Sequence, residues 1–284
     1  MTTKSLFKTT IVCGACIAAA LQGCIENSVV LKGTISSIQA DTTILLKTGS
    51  PDSPTCNIGI DFMYLKPSSE KDSLSQQINQ TLQRATFGTD FMKTPIEEVL
   101  LDVQKQHITN YRKDLLAFYE ADLRRGMTFE EMPPWYNHQY NISSELKLSR
   151  DSIYNYAITN FQDTGGAHPM TVLSWTNINA NSGKELKKND VFVEGADKEI
   201  IHLISNHLLA EVNQRLETDT ITSLKGLWDN GILLNVDLFI PENFLITDEG
   251  IRFLYNRYEI APYVMGDFQL NIPYAEIENL MKIK

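Results

Sequence analysis

The chain has 284 residues and carries 25 Lys and Arg against 35 Asp and Glu, a net charge of −10. That acidity repels nucleic acid and anionic lipid headgroups and favours basic partners, although it also serves the solubility of any exported protein. The length suffices for a sizeable core in one large domain or two modest ones, and we expect two, at 24–165 and 166–284, after a leader at 1–23.

Lys4 and Lys8 precede an apolar, Ala-rich run at 11–21 that is too short to span a bilayer as a helix. Leu21-Gln22-Gly23-Cys24 closes it. A small residue before the cysteine and an apolar one three before it resemble a bacterial lipoprotein signal, whose processing would acylate Cys24. An ordinary cleaved signal and an uncleaved anchor are the alternatives. Cleavage before Cys24 leaves 261 of the 284 residues and removes two lysines and no acids, so the mature charge becomes −12. Cys13 and Cys16 leave with the signal. Cys56 then has no partner within the chain, which rules out an intrachain disulfide framework and a zinc site of cysteines. No second long apolar segment follows, so the lipid is the expected tether, and the expected address is the cell envelope, periplasm-facing or on the cell surface.

The mature chain opens with β-prone runs at 29–38 and 42–46, then a turn at Asp52-Ser53-Pro54 and a third run at 58–65. Ser73-Leu74-Ser75-Gln76 has the form of a capping box. Leu74, Ile78, Leu82 and Ala85 follow on one face, with Gly88 just past the end, which predicts a helix of about four turns. A second box, Thr94-Pro95-Ile96-Glu97, places Pro95 at the first helical position of a longer helix. Its apolar stripe comprises Val99, Leu100, Val103, Ile108, Tyr111, Leu115, Phe118 and Leu123, and Arg124-Arg125-Gly126 ends it.

From Trp135 the pattern changes to period two, at 140–148 and 153–161, which predicts half-buried antiparallel strands. The loop Gln162-Asp163-Thr164-Gly165-Gly166-Ala167-His168-Pro169 interrupts, and a strand resumes at 172–178 before the turn Asn181-Ser182-Gly183-Lys184. We place the domain boundary in or near that loop. Downstream, 197–216 is an amphipathic helix with Ile200, Ile201, Ile204, Leu208 and Val212 inward. A meander at 243–247, 251–255 and 268–272 leads to a last short helix from Pro273 to Leu280. The fold class expected is α+β, with helices packed on antiparallel-rich sheets in two consecutive halves.

Three segments of the second half occur together: Thr164-Gly165-Gly166-Ala167-His168-Pro169; the stretch 176–186 with Asn189-Asp190-Val191-Phe192; and Tyr258-Glu259-Ile260-Ala261-Pro262-Tyr263 with Gly266 and Ile272-Pro273-Tyr274. In this order they resemble an extracytoplasmic domain pair, of formally unknown function, found in three settings. These are the sensor region of lysozyme-responsive anti-sigma factors, the non-catalytic part of some peptidoglycan deacetylases, and many stand-alone bacterial lipoproteins. The resemblance covers nearly all of the mature chain and is weaker in its first half. It implies a lipid-anchored, non-enzymatic binding module for a basic protein such as lysozyme or for an envelope glycan. No cytoplasmic segment precedes the signal, which disfavours an anti-sigma role. No His-x-x-x-His pair supplies the metal of a deacetylase, so neither a metal nor a cofactor is expected.

The candidate binding residues are Gly165, Gly166, His168, Tyr258, Pro262 and Tyr263, each of which also has a structural explanation. His168, on a Gly-Gly loop before a proline, could meet a ligand or hold its own loop through a bond to main chain. As an acid or base it would serve the alternative reading, an enzyme acting on envelope sugars or peptides. A structural or assembly lipoprotein is a third reading. Tyr258, Pro262 and Tyr263 form either a rigid turn or a recognition surface. Trp135, Tyr136 and Tyr140, beside Pro133-Pro134, form either a sugar-stacking platform or packing. His202 and His207, five apart on one helix, point roughly 140° apart and share a metal poorly. Glu97 and Glu98 begin a helix and offset its dipole. No Gly-x-Ser-x-Gly elbow accompanies the serines, and Cys56 is more simply a buried thiol than a nucleophile.

Overall fold

A computed structural model describes residues 33–150 and 152–283; the leader and Cys24 lie outside the described residues. Strand β1 (Thr34–Leu45) pairs antiparallel with β2 (Thr55–Lys66) along its whole length. The break expected between the runs at 29–38 and 42–46 is absent. Ala40, between Ile38 and Ile44 on the buried face, keeps the period-two pattern going. On the other face Gln39 donates to Asp61 (2.8 Å) and Thr43 to Asn57 (2.7 Å), so the polar side chains also pair across the strands.

Helix α1 (Ser73–Phe87) is capped one residue earlier than the capping-box reading: the buried Asp72 carboxylate accepts from the Ser75 N–H (3.1 Å) and hydroxyl (2.9 Å). Burial alone would raise the Asp72 pKa, but hydrogen bonds from Ser68 and Ser75 outweigh it and hold the carboxyl below its ordinary value. In α2 (Ile96–Arg124) no side chain caps the start; Pro95 is itself the cap, and its carbonyl accepts from Glu98 and Val99. The helix buries Val99, Leu100, Val103, Tyr111 and Tyr119 and lies over β1 and β2. Phe118, expected inward, is 67% exposed. Tyr119 turns in because Tyr136, on a 3-10 turn at Pro134–Tyr136, offers its ring edge-on at 5.6 Å.

Strand β3 (His138–Ser149) has the expected alternation, yet it runs parallel to β2, from Cys56↔His138 to Asp61↔Ser143. Alternation reports one buried face and not strand direction; direction is set by the crossover through α1 and α2, which returns the chain to its starting end. Strands β4 (Ile153–Asp163), β5 (Met170–Asn179) and β6 (Glu185–Leu186) complete a six-stranded mixed sheet in the order β1-β2-β3-β4-β5-β6. Helices α3 (Lys188–Val191), α4 (Asp197–Arg215) and α5 (Leu224–Asp229) lead to a three-stranded antiparallel sheet of β7 (Phe244–Ile246), β8 (Gly250–Tyr255) and β9 (Phe268–Pro273), followed by α6 (Tyr274–Ile277). The fold class is α+β, as the sequence indicates.

The described residues divide into two compact units, the first holding 33–145 and 158–172, the second 146–157 and 173–283. In the second, one face of the small sheet buries Phe244, Ile246, Phe253, Leu270 and Ile272 in a common core with Ile200, Ile204, Leu208 and Val212 of α4. Its other face sets Leu245 and Leu254 on Trp175 of β5. Asparagines join these layers. Asn177 donates to Phe244 O (2.8 Å) and accepts from Ile246 N (2.9 Å) and Asn155 (3.0 Å). Asn243 accepts from Trp175 N (3.0 Å) and Asn256 from Leu173 N (2.8 Å), so side-chain amides take the place of a backbone ladder. Among the described residues no helix is long and apolar enough to cross a membrane.

Candidate functional site

Two loops carry the candidate residues, one in each unit. In the first unit, the segment 133–137 is pinned to α2 by phenols. Tyr111 donates to Tyr136 O (2.7 Å), and Tyr136 donates to Asp122 Oδ2 (2.7 Å). Burial, then the Asp122 bond, pushes the Tyr136 phenol up to about 12. Trp135, next to it, is left 52% exposed. His138 Nε2 stands 3.1 Å from Trp135 O and its Nδ1 3.0 Å from Tyr140 Oη. A carbonyl only accepts, so Nε2 carries the proton and Nδ1 accepts from the tyrosine. Burial, the largest influence on this imidazole, lowers its pKa against the opposing pull of Trp135 O, Asp114 and Asp163.

The glycine loop meets this segment. Gly165 has φ +68°, its N–H donates to Asp163 Oδ1 (2.9 Å), and a Cβ there would lie 2.4 Å from Pro134 O. The close backbone approach that Gly165 permits is therefore to the chain's own Pro134 and Trp135. Gly166, by contrast, faces open space, and His168 is exposed. The structure thus places Gly165 against the Pro-Pro-Trp segment, a neighbourhood invisible in the sequence because some 30 residues separate them.

In the second unit, β8 ends at Tyr255 and the loop 256–267 follows. Tyr258 has φ +68° and is 54% exposed. Its ring lies 5.7 Å from that of Tyr263. The Arg257 guanidinium covers the Tyr263 ring at 4.7 Å and donates to its hydroxyl (3.2 Å). Pro262 caps a 3-10 turn at Tyr263–Met265. The far end of the loop is fixed by Arg215 of α4, which donates to Met265 O (2.7 Å) and Asp267 O (3.0 Å) while lying 4.4 Å over the Phe268 ring. Val264, at the tip, is 87% exposed. Tyr258, Pro262 and Tyr263 were legible in the sequence. Arg215, Arg257 and Val264 were not, and only the terminal position of Arg215 on its helix offered a signal.

All five histidines make contacts among the described residues. His138 is described above; His107 packs its ring on Tyr140 at 4.8 Å, His202 meets Asn206, and His207 meets Glu276 (3.1 Å). None of these four is bonded to a serine. Cys56 is buried, which pushes its thiol up to about 12 and leaves it inert as a nucleophile at neutral pH. Among the described residues no three His, Cys, Asp or Glu side chains converge as metal ligands.

Fold and loops define a two-unit α+β protein, and residues 189–275 match the family described as "protein of unknown function (DUF3298)". A crystal structure of a DUF3298 family member from Bacteroides fragilis is 28% identical, with a TM-score of 0.77, and covers 88% of this chain and 94% of its own. A DUF3298 family protein from Pseudomonas aeruginosa, 16% identical with a TM-score of 0.56, covers 89% and 97% and shares the fold. Among curated proteins, Esterase Rv3036c of Mycobacterium tuberculosis is 23% identical over 195 residues, 69% of this chain and 76% of the relative.

Proposed function

We propose that the chain is a non-enzymatic binding module of the cell envelope, tethered through acylated Cys24, that captures a basic, lysozyme-like protein on the loop 256–267. The observation that carries this reading is the build of that loop. Two arginines fix its backbone and rings from either end, while Tyr258 and Val264 remain in solvent. A pre-ordered apolar tip loses little entropy on docking, the economy expected of a recognition surface. The mature charge of −12 adds long-range steering toward a basic ligand.

The test is lysozyme binding by the soluble protein across a salt series, beside a second basic protein of similar charge. Specific, saturable binding that weakens with salt is expected, and Val264→Ser should weaken it about tenfold without changing the fold. Equal binding of both basic proteins, or an indifferent Val264→Ser, would remove the loop from the account.

The relative named an esterase supports a second reading, hydrolysis. His168, on the Gly-Gly loop before a proline, is the histidine this reading would use. It requires turnover of short-chain p-nitrophenyl esters that His168→Ala abolishes; turnover unchanged in that variant would dismiss it.

A further inference from the structure

Helix α1 carries four amide side chains, Gln76, Asn79, Gln80 and Gln83, at the i, i+3, i+4, i+7 spacing that aligns them on one face. They border a cleft of about 620 Å³ in the first unit, between the end of β2 and the approach to α2. That volume lies within the roughly 300–1,000 Å³ typical of small-ligand sites. Three of the amides hold the walls in place. Buried Asn79 accepts from Leu65 N–H (2.8 Å) and donates to Leu65 O (2.7 Å). Gln83 donates to Phe91 O (3.2 Å) and Thr94 O (2.7 Å), and Gln76 donates to Glu70 O (2.9 Å). The fourth, half-buried Gln80, has no hydrogen-bond partner among the described residues.

Around Gln80 the cleft offers the Tyr64 ring as an aromatic wall, and its two lysines, Lys66 and Lys93, are balanced by Glu70 and Glu97. A charged ligand therefore gains no net attraction. An extended peptide would need a strand edge, but both backbone groups of Leu65 there are already taken by Asn79. What remains unsatisfied is one amide that can donate and accept at once, beside an aromatic face.

We propose that this cleft binds an N-acetylhexosamine unit of a glycan. The acetamido carbonyl accepts from Gln80 Nε2, a neighbouring sugar hydroxyl donates to Gln80 Oε1, and the apolar face of the sugar ring lies on Tyr64. The site belongs to the first unit and is independent of the aromatic loop at 256–267. Calorimetric titration with tri-N-acetylchitotriose, beside cellotriose, tests it. Saturable binding of the acetylated trisaccharide is expected, with cellotriose at least tenfold weaker because it lacks the amide. Gln80→Leu should lower affinity for the acetylated sugar at least tenfold, whereas Gln77→Leu, at an exposed position of the same helix, should not. Thermal melts of both variants separate loss of the site from loss of fold. Equal binding of the two sugars, no binding of either, or full affinity in a folded Gln80→Leu protein would overturn the assignment.

Discussion

At the scale of single residues, the two adjacent glycines of the 162–169 loop do different work. At Gly165 a side chain would meet two obstacles, a φ of +68° and the Pro134 carbonyl 2.4 Å from the new Cβ. Neither can yield easily, since the obstacle is backbone held by Tyr111 and Tyr136. Gly165→Ala should therefore cost roughly 2 kcal/mol or more, a strained backbone plus overpacking. Gly166→Ala meets nothing within 4 Å and should stay within about 0.5 kcal/mol of the parent. Urea midpoints of the two variants decide it, and equal losses would mean that the loop is not seated on Pro134.

At the scale of elements, the joint between β5 and the β7-β8 pair rests on asparagines. Asn177→Leu would strand Ile246 N–H and Phe244 C=O in a buried setting and leave Asn155 only its bond to Ile246 O. Each unsatisfied group costs about 1–3 kcal/mol, so a loss of roughly 3 kcal/mol in denaturant unfolding is expected. A change below about 1 kcal/mol would show that the layers hold by apolar packing alone. This joint also marks where sequence reading stops. The meander, α4 and both long helices follow from hydrophobic period and turn residues, which are local properties, and they appear close to the expected bounds. The partners of Asn177, Asn243 and Asn256 lie some 70 to 80 positions away, and a lone asparagine in a strand gives no sign of what it will bond. The parallel sense of β3 and the inward turn of Tyr119 were hidden for the same reason, both being set by segments distant in sequence. The short α3 and α5, of four and six residues, are too brief for a period to emerge. At the candidate site, Tyr258, Pro262 and Tyr263 lie in one short segment of sequence, while the clamp from Arg215 arrives across about 50 residues.

At the scale of the whole molecule, the two units should respond differently to acid. The first contains His107, its ring on Tyr140, and His138, between Tyr140 and Trp135 O; burial lowers the pKa of both. The unfolded chain then takes up protons on these rings at higher pH than the folded one, near the ordinary value of about 6.5. Stability from their neutral forms is therefore complete above that pH and is lost as pH falls from about 6.5 toward the lower folded-state values. The second unit contains a carboxylate of the opposite kind. Asp248 accepts from Arg150 N–H and the Ser149 hydroxyl, which hold its pKa below 3.8, so its contribution persists until the pH falls through that lower range. Tryptophans can report each unit separately, Trp135 in the first, Trp175 and Trp228 in the second. Between pH 7 and 5, at fixed ionic strength, the urea midpoint seen by Trp135 in a Trp175→Phe, Trp228→Phe protein should fall. The midpoint seen in a Trp135→Phe protein should hold until more acidic pH, and His107→Phe should flatten the first slope. If both reporters fell together between pH 6.5 and 5, the histidine cluster would not be the origin of the acid response, and the two units would be unfolding as one.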